Sequence, residues 1–179
     1  MNKKMMVVSA HAADWCTRAG GTIRRMIEEG WEAYVLALTF GEHGESGAYW
    51  KANPDSSFEA CKVCRKQEAE CAAASLGIKS IEFCDYGDYP LEMHEKEIRS
   101  LTKKILDYRP SVILTHWICD PVNLDHEVTG KAVISAVNAA GMTGAVPGAR
   151  PMSFLISFSL KQPCPIPSSA SLKWTPISI

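Results

Sequence analysis

The feature that most restricts the fold is an alternation. Strand-like runs at residues 5–10, 32–40, 81–84 and 112–115 are separated by stretches with helical spacing. Short apolar runs alternating with helices of about ten residues or more read as βαβ units, which set the strands parallel and bury both faces of their sheet. The first helix opens at Ala19-Gly20-Gly21 and runs to about Glu29, where Gly30 ends it. The second spans 57–76 and closes at Gly77, the third spans 93–108 before Pro110, and the fourth spans 125–140 before Gly141. Glycine just past a helix, and proline soon after, are stop signals. Polar loops fill 41–56 and 85–90. Right-handed crossovers then give an α/β, Rossmann-like, doubly wound and mainly parallel sheet, in strand order 3-2-1-4, with helices on both faces. In such a sheet a ligand sits beyond the carboxyl ends of the strands, where the order reverses. Here that place lies between the first and fourth strands.

Composition narrows the function classes. The chain has 179 residues, 46% of them hydrophobic, enough for one domain with a proper core. Lys and Arg number 19 against 20 Asp and Glu, so no basic excess points to nucleic acid. No apolar run reaches the length of a membrane span. The apolar N-terminus is short and gives way at once to His11-Ala12-Ala13-Asp14, which suits a first strand and not a signal peptide. Seven cysteines, an odd number, suit a reduced, cytoplasmic protein. Cys61 and Cys64 form a C-x-x-C with no second pair to complete a zinc site, and with Cys71 they fall on a helix where thiols pack as small apolar groups.

Two polar clusters fall at the predicted crevice. His11 and Asp14 follow the first strand directly. His116 ends the fourth strand, and Asp120, Asn123, Asp125 and His126 follow it. Two imidazoles and a carboxylate, with positions left for water or substrate, make a common catalytic metal site. Zinc is the first expectation, with iron or manganese as alternatives.

The same residues resemble a known family. Val7-Val8-Ser9-Ala10-His11-Ala12-Ala13-Asp14, with Ala19-Gly20-Gly21 behind it, is similar to the opening motif of the LmbE/PIG-L metal-dependent deacetylases. Arg65-Lys66-Gln67-Glu68-Ala69, Leu114-Thr115-His116 and Asn123-Leu124-Asp125-His126 resemble later motifs of that family, in the same order. The resemblance implies that His11, Asp14 and His126 are the zinc ligands. It also exposes two departures. The deacetylase motif reads His-Pro-Asp-Asp, and its first Asp is the base that activates water; that position is Ala13 here. The first His of the family's His-Pro-Asp-His is Asn123.

The departures match one branch. His11 to Trp15, Arg18 to Gly21, Phe40 to Ser46 (Phe-Gly-Glu-x-Gly-Glu-Ser), Gly87-Asp88-Tyr89-Pro90 and Asp120 to His126 together resemble the 4-oxalomesaconate hydratases, which add water to a carbon–carbon double bond. The resemblance implies a lyase acting on a small anionic carboxylate, and a homo-oligomer at full length. A base must then come from elsewhere. Glu45, and after it Glu42, follow the second strand, whose loop overhangs the crevice. Asp125 would orient a ligand or assist proton transfer. Arg18 and Arg65, with Lys51 behind them, are the cations for substrate carboxylates, and His116 and Asn123 complete the substrate-binding set. Asp85 and Asp88 shape the pocket, and His43 and His94 lie at the surface. Two other readings stand: a zinc-dependent N-deacetylase of an N-acetylated sugar, and an inactive truncated metal-binding domain.

One anomaly concerns the end of the chain. All 20 acidic residues lie in the first 153 positions, and from 154 onward the only charges are Lys161 and Lys173. The expected domain is therefore 1–153, incomplete at its C-terminus, with an aberrant tail at 154–179. A shifted reading frame would account for the tail, because codons can be chosen for residues 172–179 that spell the family's Asp-Thr-Tyr-x-Asp-Ile in another frame.

Overall fold

The computed structural model describes residues 3–142, Val146, Arg150, Met152 and the backbone of Leu155–Phe158. Five parallel strands form one sheet: β1 (Lys4–Ser9), β2 (Glu32–Ala37), β3 (Ser80–Phe83), β4 (Val112–Thr115) and β5 (Leu155–Phe158). Their order is β3-β2-β1-β4-β5, so the direction of winding reverses between β1 and β4. Helices α1 (Asp14–Glu28), α2 (Gly47–Ala52), α3 (Phe58–Leu76), α4 (Glu95–Tyr108) and α5 (Leu124–Gly141) connect them.

The sheet has a core on each face because side chains alternate along a strand. Met6 and Val8 of β1 join Leu36, Ile113, Leu101, Ile105, Val133 and Ala136 under α4 and α5. Met5 and Val7 face the other way, into Trp15, Ala19, Ile23, Val35, Ala69, Ala73 and Leu114 under α1 and α3. β1 is apolar on both faces, as a central parallel strand must be.

Three details position the site. α1 begins at Asp14, five residues before the expected opening at Ala19. The Asp14 carboxylate sits in the first turn and accepts the His11 N–H at 2.9 Å, which satisfies a donor at the helix entrance and suits the positive end of the dipole. Gly20 and Gly21 are thus interior to the helix; Gly20 is buried where α1 meets Leu76 of α3. Second, the 41–56 loop contains α2, a short helix that sequence spacing did not indicate. Third, α5 passes very close to the end of β4. A Cβ at Gly130 would lie 2.6 Å from the His116 carbonyl oxygen, so only glycine permits this approach.

The boundary expected at 153 falls just before a further strand. The backbone of Leu155–Phe158 joins the sheet, with Val112 opposite Leu155 and Thr115 opposite Phe158. The remainder of the expected tail, and the shifted frame proposed for it, lie outside the described residues. No helix among the described residues is long and apolar enough to cross a membrane.

Candidate active site

The winding reversal brings His11 and Asp14, after β1, against His126 of α5. His11 Nδ1 lies 3.0 Å from Asp14 Oδ2, and His126 Nε2 lies 3.3 Å from Asp14 Oδ1. Asp14 therefore stands between two imidazoles. All three residues are buried, at 0%, 3% and 0% exposure.

Each imidazole is oriented from behind by a carboxylate. His11 Nε2–H donates to Asp125 Oδ2 at 3.2 Å, and His126 Nδ1–H donates to Asp120 Oδ2 at 2.8 Å. This leaves His11 Nδ1 and His126 Nε2 facing Asp14. A metal-ligating histidine characteristically has its far N–H held by a carboxylate, which fixes the tautomer and raises the basicity of the near nitrogen. His126 Nε2 is buried without a hydrogen-bond partner, the orphaned lone pair that a metal ion would take up. A His₂Asp donor set suits zinc and leaves coordination positions open. The donors thus fit a divalent cation.

The electrostatics agree. Burial alone would lower the His11 pKa, but hydrogen bonds to Asp125 and Asp14 and the charges of Asp14 and Glu45 outweigh it and raise it to about 10. Burial would raise the Asp14 carboxyl, but His11, His126 and His116 hold it far below the usual range. Burial likewise opposes, and the bonds from His11 and the Leu91 and Tyr89 N–H groups outweigh it, to keep Asp125 low. The centre is built to hold positive charge.

Glu45 completes this group. Its Oε1 lies 3.8 Å from His11 Nδ1 and accepts from Asn123 Nδ2 at 3.2 Å, while its side chain stays 34% exposed. His11, Glu45 and His126 present ligand-type atoms within 4.8 Å of one another, as do Asp14, His116 and His126. Gly41 makes the close fit feasible: its φ is +71°, and a Cβ there would fall 2.9 Å from Glu45 Cβ and 3.2 Å from His11 Cβ. Arg18, one turn along α1 from Asp14, places Nε 3.5 Å from Asp14 Oδ1 and is 31% exposed.

The other expected site residues divide between the centre and its surroundings. His116 is no surface for substrate: it is 2% exposed, and its Nε2 accepts the Ala10 N–H at 3.0 Å. Its ring stacks on His126 at 4.1 Å and so forms the wall behind that imidazole. Burial pushes its pKa down to about 3, keeping it neutral. Glu42 is also buried, and its contacts are with Lys62 and Asp88, away from Asp14. Arg65 is paired through Nη1 with Glu68, three residues along α3. Lys51 is exposed on α2. Asp125 orients His11, and Asn123 caps α5 by accepting the Asp125 N–H at 3.1 Å while holding Glu45. His94 and His43 are both exposed, as expected, and His43 Nδ1 also lies 2.7 Å from Asp88 Oδ1. The orienting role of Asp120 was not assigned from sequence, although its place six residues before His126 was the available signal.

Comparison with known proteins gives the same outline. The GlcNAc-PI de-N-acetylase (PIG-L) family model matches residues 6–137. The chain is 37% identical over 146 residues to the 4-oxalmesaconate hydratase of Pseudomonas putida strain KT2440, covering 82% of this chain and 56% of that protein. It is 28% identical over 142 residues to the diacetylchitobiose deacetylase of Thermococcus kodakarensis, covering 78% and 51%. The crystal structure of GalB, the 4-carboxy-2-hydroxymuconate hydratase of P. putida KT2440, superposes with a TM-score of 0.80 at 35% identity, over 84% of this chain and 62% of that one. The chain thus spans little more than half the length of these curated relatives. A match that runs from β1 to the last turns of α5, taking in both halves of the centre, makes the chain a member of the PIG-L, or GlcNAc-PI de-N-acetylase, family.

Proposed function

We propose that this chain carries the metal centre of a zinc-dependent hydratase, which adds water across the C=C bond of an unsaturated keto-tricarboxylate such as 4-oxalomesaconate. The observation that carries this reading is the placement of Glu45. Position 13, where the resembling deacetylases carry their base, is alanine, and the carboxylate beside His11 comes from the loop after β2 instead. The sequence similarity to a hydratase at 37% identity supports the same choice.

The residues divide the work. His11, Asp14 and His126 would hold the zinc, with Asp125 and Asp120 orienting the two imidazoles. When bound, the metal supplies a Lewis acid that stabilises negative charge developing on the keto-acid end of the substrate. Glu45, reachable from solvent and steadied by Asn123, takes a proton from the attacking water. The hydroxyl oxygen bonds to one alkene carbon, and the proton that Glu45 took up is delivered to the other, which leaves Glu45 ionised again. General-base catalysis of this kind is worth about 10²–10⁴-fold. Arg18, whose side chain is partly exposed beside the centre, would receive a substrate carboxylate.

Zinc-reconstituted protein should deplete the enone absorbance of 4-oxalomesaconate and leave N-acetylglucosamine conjugates intact. Release of amine from the conjugates without loss of the enone would assign the centre to deacetylation instead.

A further inference from the structure

The segment 85–91 is used by the site from both ends. Asp88 is 3% exposed, and its carboxylate is spent on the neighbouring loop. Oδ1 accepts the His43 N–H at 3.0 Å and faces His43 Nδ1 at 2.7 Å; Oδ2 accepts the Gly44 N–H at 2.9 Å. These are the two residues immediately before Glu45. One residue further along, the Tyr89 N–H donates to Asp125 Oδ2 at 3.0 Å, and the Leu91 N–H donates to Asp125 Oδ1 at 2.9 Å. Asp125 in turn holds His11. A single stretch of four residues therefore links the Glu45 loop to the carboxylate that orients His11.

Packing reinforces the link. The Tyr89 ring lies over Gly44 so closely that a Cβ there would come within 2.8 Å of it. Lys62 of α3 bridges the two loops, with Nζ 2.6 Å from Asp85 and 3.6 Å from Glu42. Glu42, His43 and Asp88 also have the spacing of a metal site. Two things oppose that use. Both Asp88 oxygens already face N–H donors, and Lys62 already supplies a cation to Glu42.

We infer that Asp88 is a positioning residue for Glu45, and that residues 88–91 form a strut fixing the base at its distance from His11. The inference rests on Glu45 being the base. Without Asp88, the His43 and Gly44 N–H groups lose their acceptor and the Glu45 loop is released. Asp88 does not touch Asp14 or His126, and the Tyr89 and Leu91 N–H groups that hold Asp125 belong to the backbone, so zinc stoichiometry should be unchanged.

Three measurements on the zinc-loaded chain test this, using Asp88→Asn, which keeps one acceptor oxygen, and Asp88→Ala, which keeps none. Amide exchange at His43 and Gly44 should speed up about 10-fold or more in the alanine variant and less in the asparagine variant, with zinc stoichiometry unchanged. The kcat for hydration should fall about 10–100-fold, as a misplacement near 1 Å costs, with KM little changed. Combining Asp88→Ala with Glu45→Gln should be no slower than Glu45→Gln alone, because one acts through the other. Losses that multiply, or amide exchange that does not change, would overturn the strut. Absence of hydration by the wild-type chain would instead overturn the base reading, and the exchange measurement would still decide the strut.

Discussion

Replacing Asp120 by asparagine should damage zinc binding more than replacing it by alanine, although asparagine is the milder change in shape. Asp120 Oδ1 accepts the Val122 and Asn123 N–H groups at 3.0 and 3.3 Å, while Oδ2 accepts His126 Nδ1–H at 2.8 Å. The two backbone donors pin the carbonyl oxygen of an asparagine at the Oδ1 position. Its NH₂ must then face His126 Nδ1, donor against donor. The imidazole escapes by moving its proton to Nε2, and Nε2 is the nitrogen turned toward Asp14. A protonated Nε2 cannot ligate. Changes to such orienting carboxylates cost about 10–100-fold in metal affinity, or about 1.4–2.7 kcal/mol. We expect Asp120→Asn at the upper end of that range. Asp120→Ala leaves the imidazole free to choose its tautomer and should fall at the lower end. Stability of the metal-free chain should run the other way. Alanine abandons two N–H groups, at about 0.5–1.5 kcal/mol each, and asparagine keeps both. Competition against a chromophoric chelator gives the affinities, and urea unfolding gives the stabilities. Zinc binding by the asparagine variant equal to wild type, or tighter than the alanine variant, would refute the assignment of His126 Nε2 as a ligand.

Three further outcomes follow from the same geometry. Glu45→Gln should lower kcat for hydration about 10²–10⁴-fold with zinc stoichiometry unchanged, as read by turnover and metal analysis. Ala13→Asp, which restores the deacetylase pattern, should not raise hydration; a clear rise would move the base from Glu45 to position 13. His116 should make the fold acid-sensitive. The unfolded chain takes up its proton near the ordinary imidazole value of 6.5, while burial makes the folded chain refuse it until about 3. Stability is therefore lost as pH falls through that window, by up to about 1.4 kcal/mol per pH unit. His116→Gln can still accept the Ala10 N–H, and its unfolding free energy should fall less steeply with acid; parallel curves would disprove the buried neutral imidazole.

The elements that were legible in the sequence are those whose signals are local. Val112–Thr115 is a strand from its apolar run alone, and Ser57 and Gly77 bracket α3 as cap and stop. The strand order, and with it the meeting of His11 with His126, followed from handed crossovers. The start of α1 was missed because its cap is not a side chain at position 13 but a carboxylate one residue inside the helix. What could not be read was direction. Sequence placed Glu42 and Glu45 in one loop, yet only Glu45 turns to His11, while Glu42 turns to Lys62. His116 stands at a strand end like a surface ligand, yet its Nε2 is spent on a backbone N–H 106 residues away in the chain. Arg65 meets Glu68, three residues along its own helix, a pairing that competes with any substrate role. Side-chain direction depends on what else is packed nearby, and no spacing rule encodes it.

Gly130 gives the centre a control that contains no donor atom. It lies one turn beyond His126, where a single added methyl would meet the His116 carbonyl. Any side chain there would force α5 away from the end of β4, and His126 rides on α5. Ions differ in the cavity they fill, and selectivity among divalent cations is set by geometry more than by raw affinity. In the proposed zinc centre, the spacing of the ligands would thus be set partly from behind, by how closely a helix can lean on a strand.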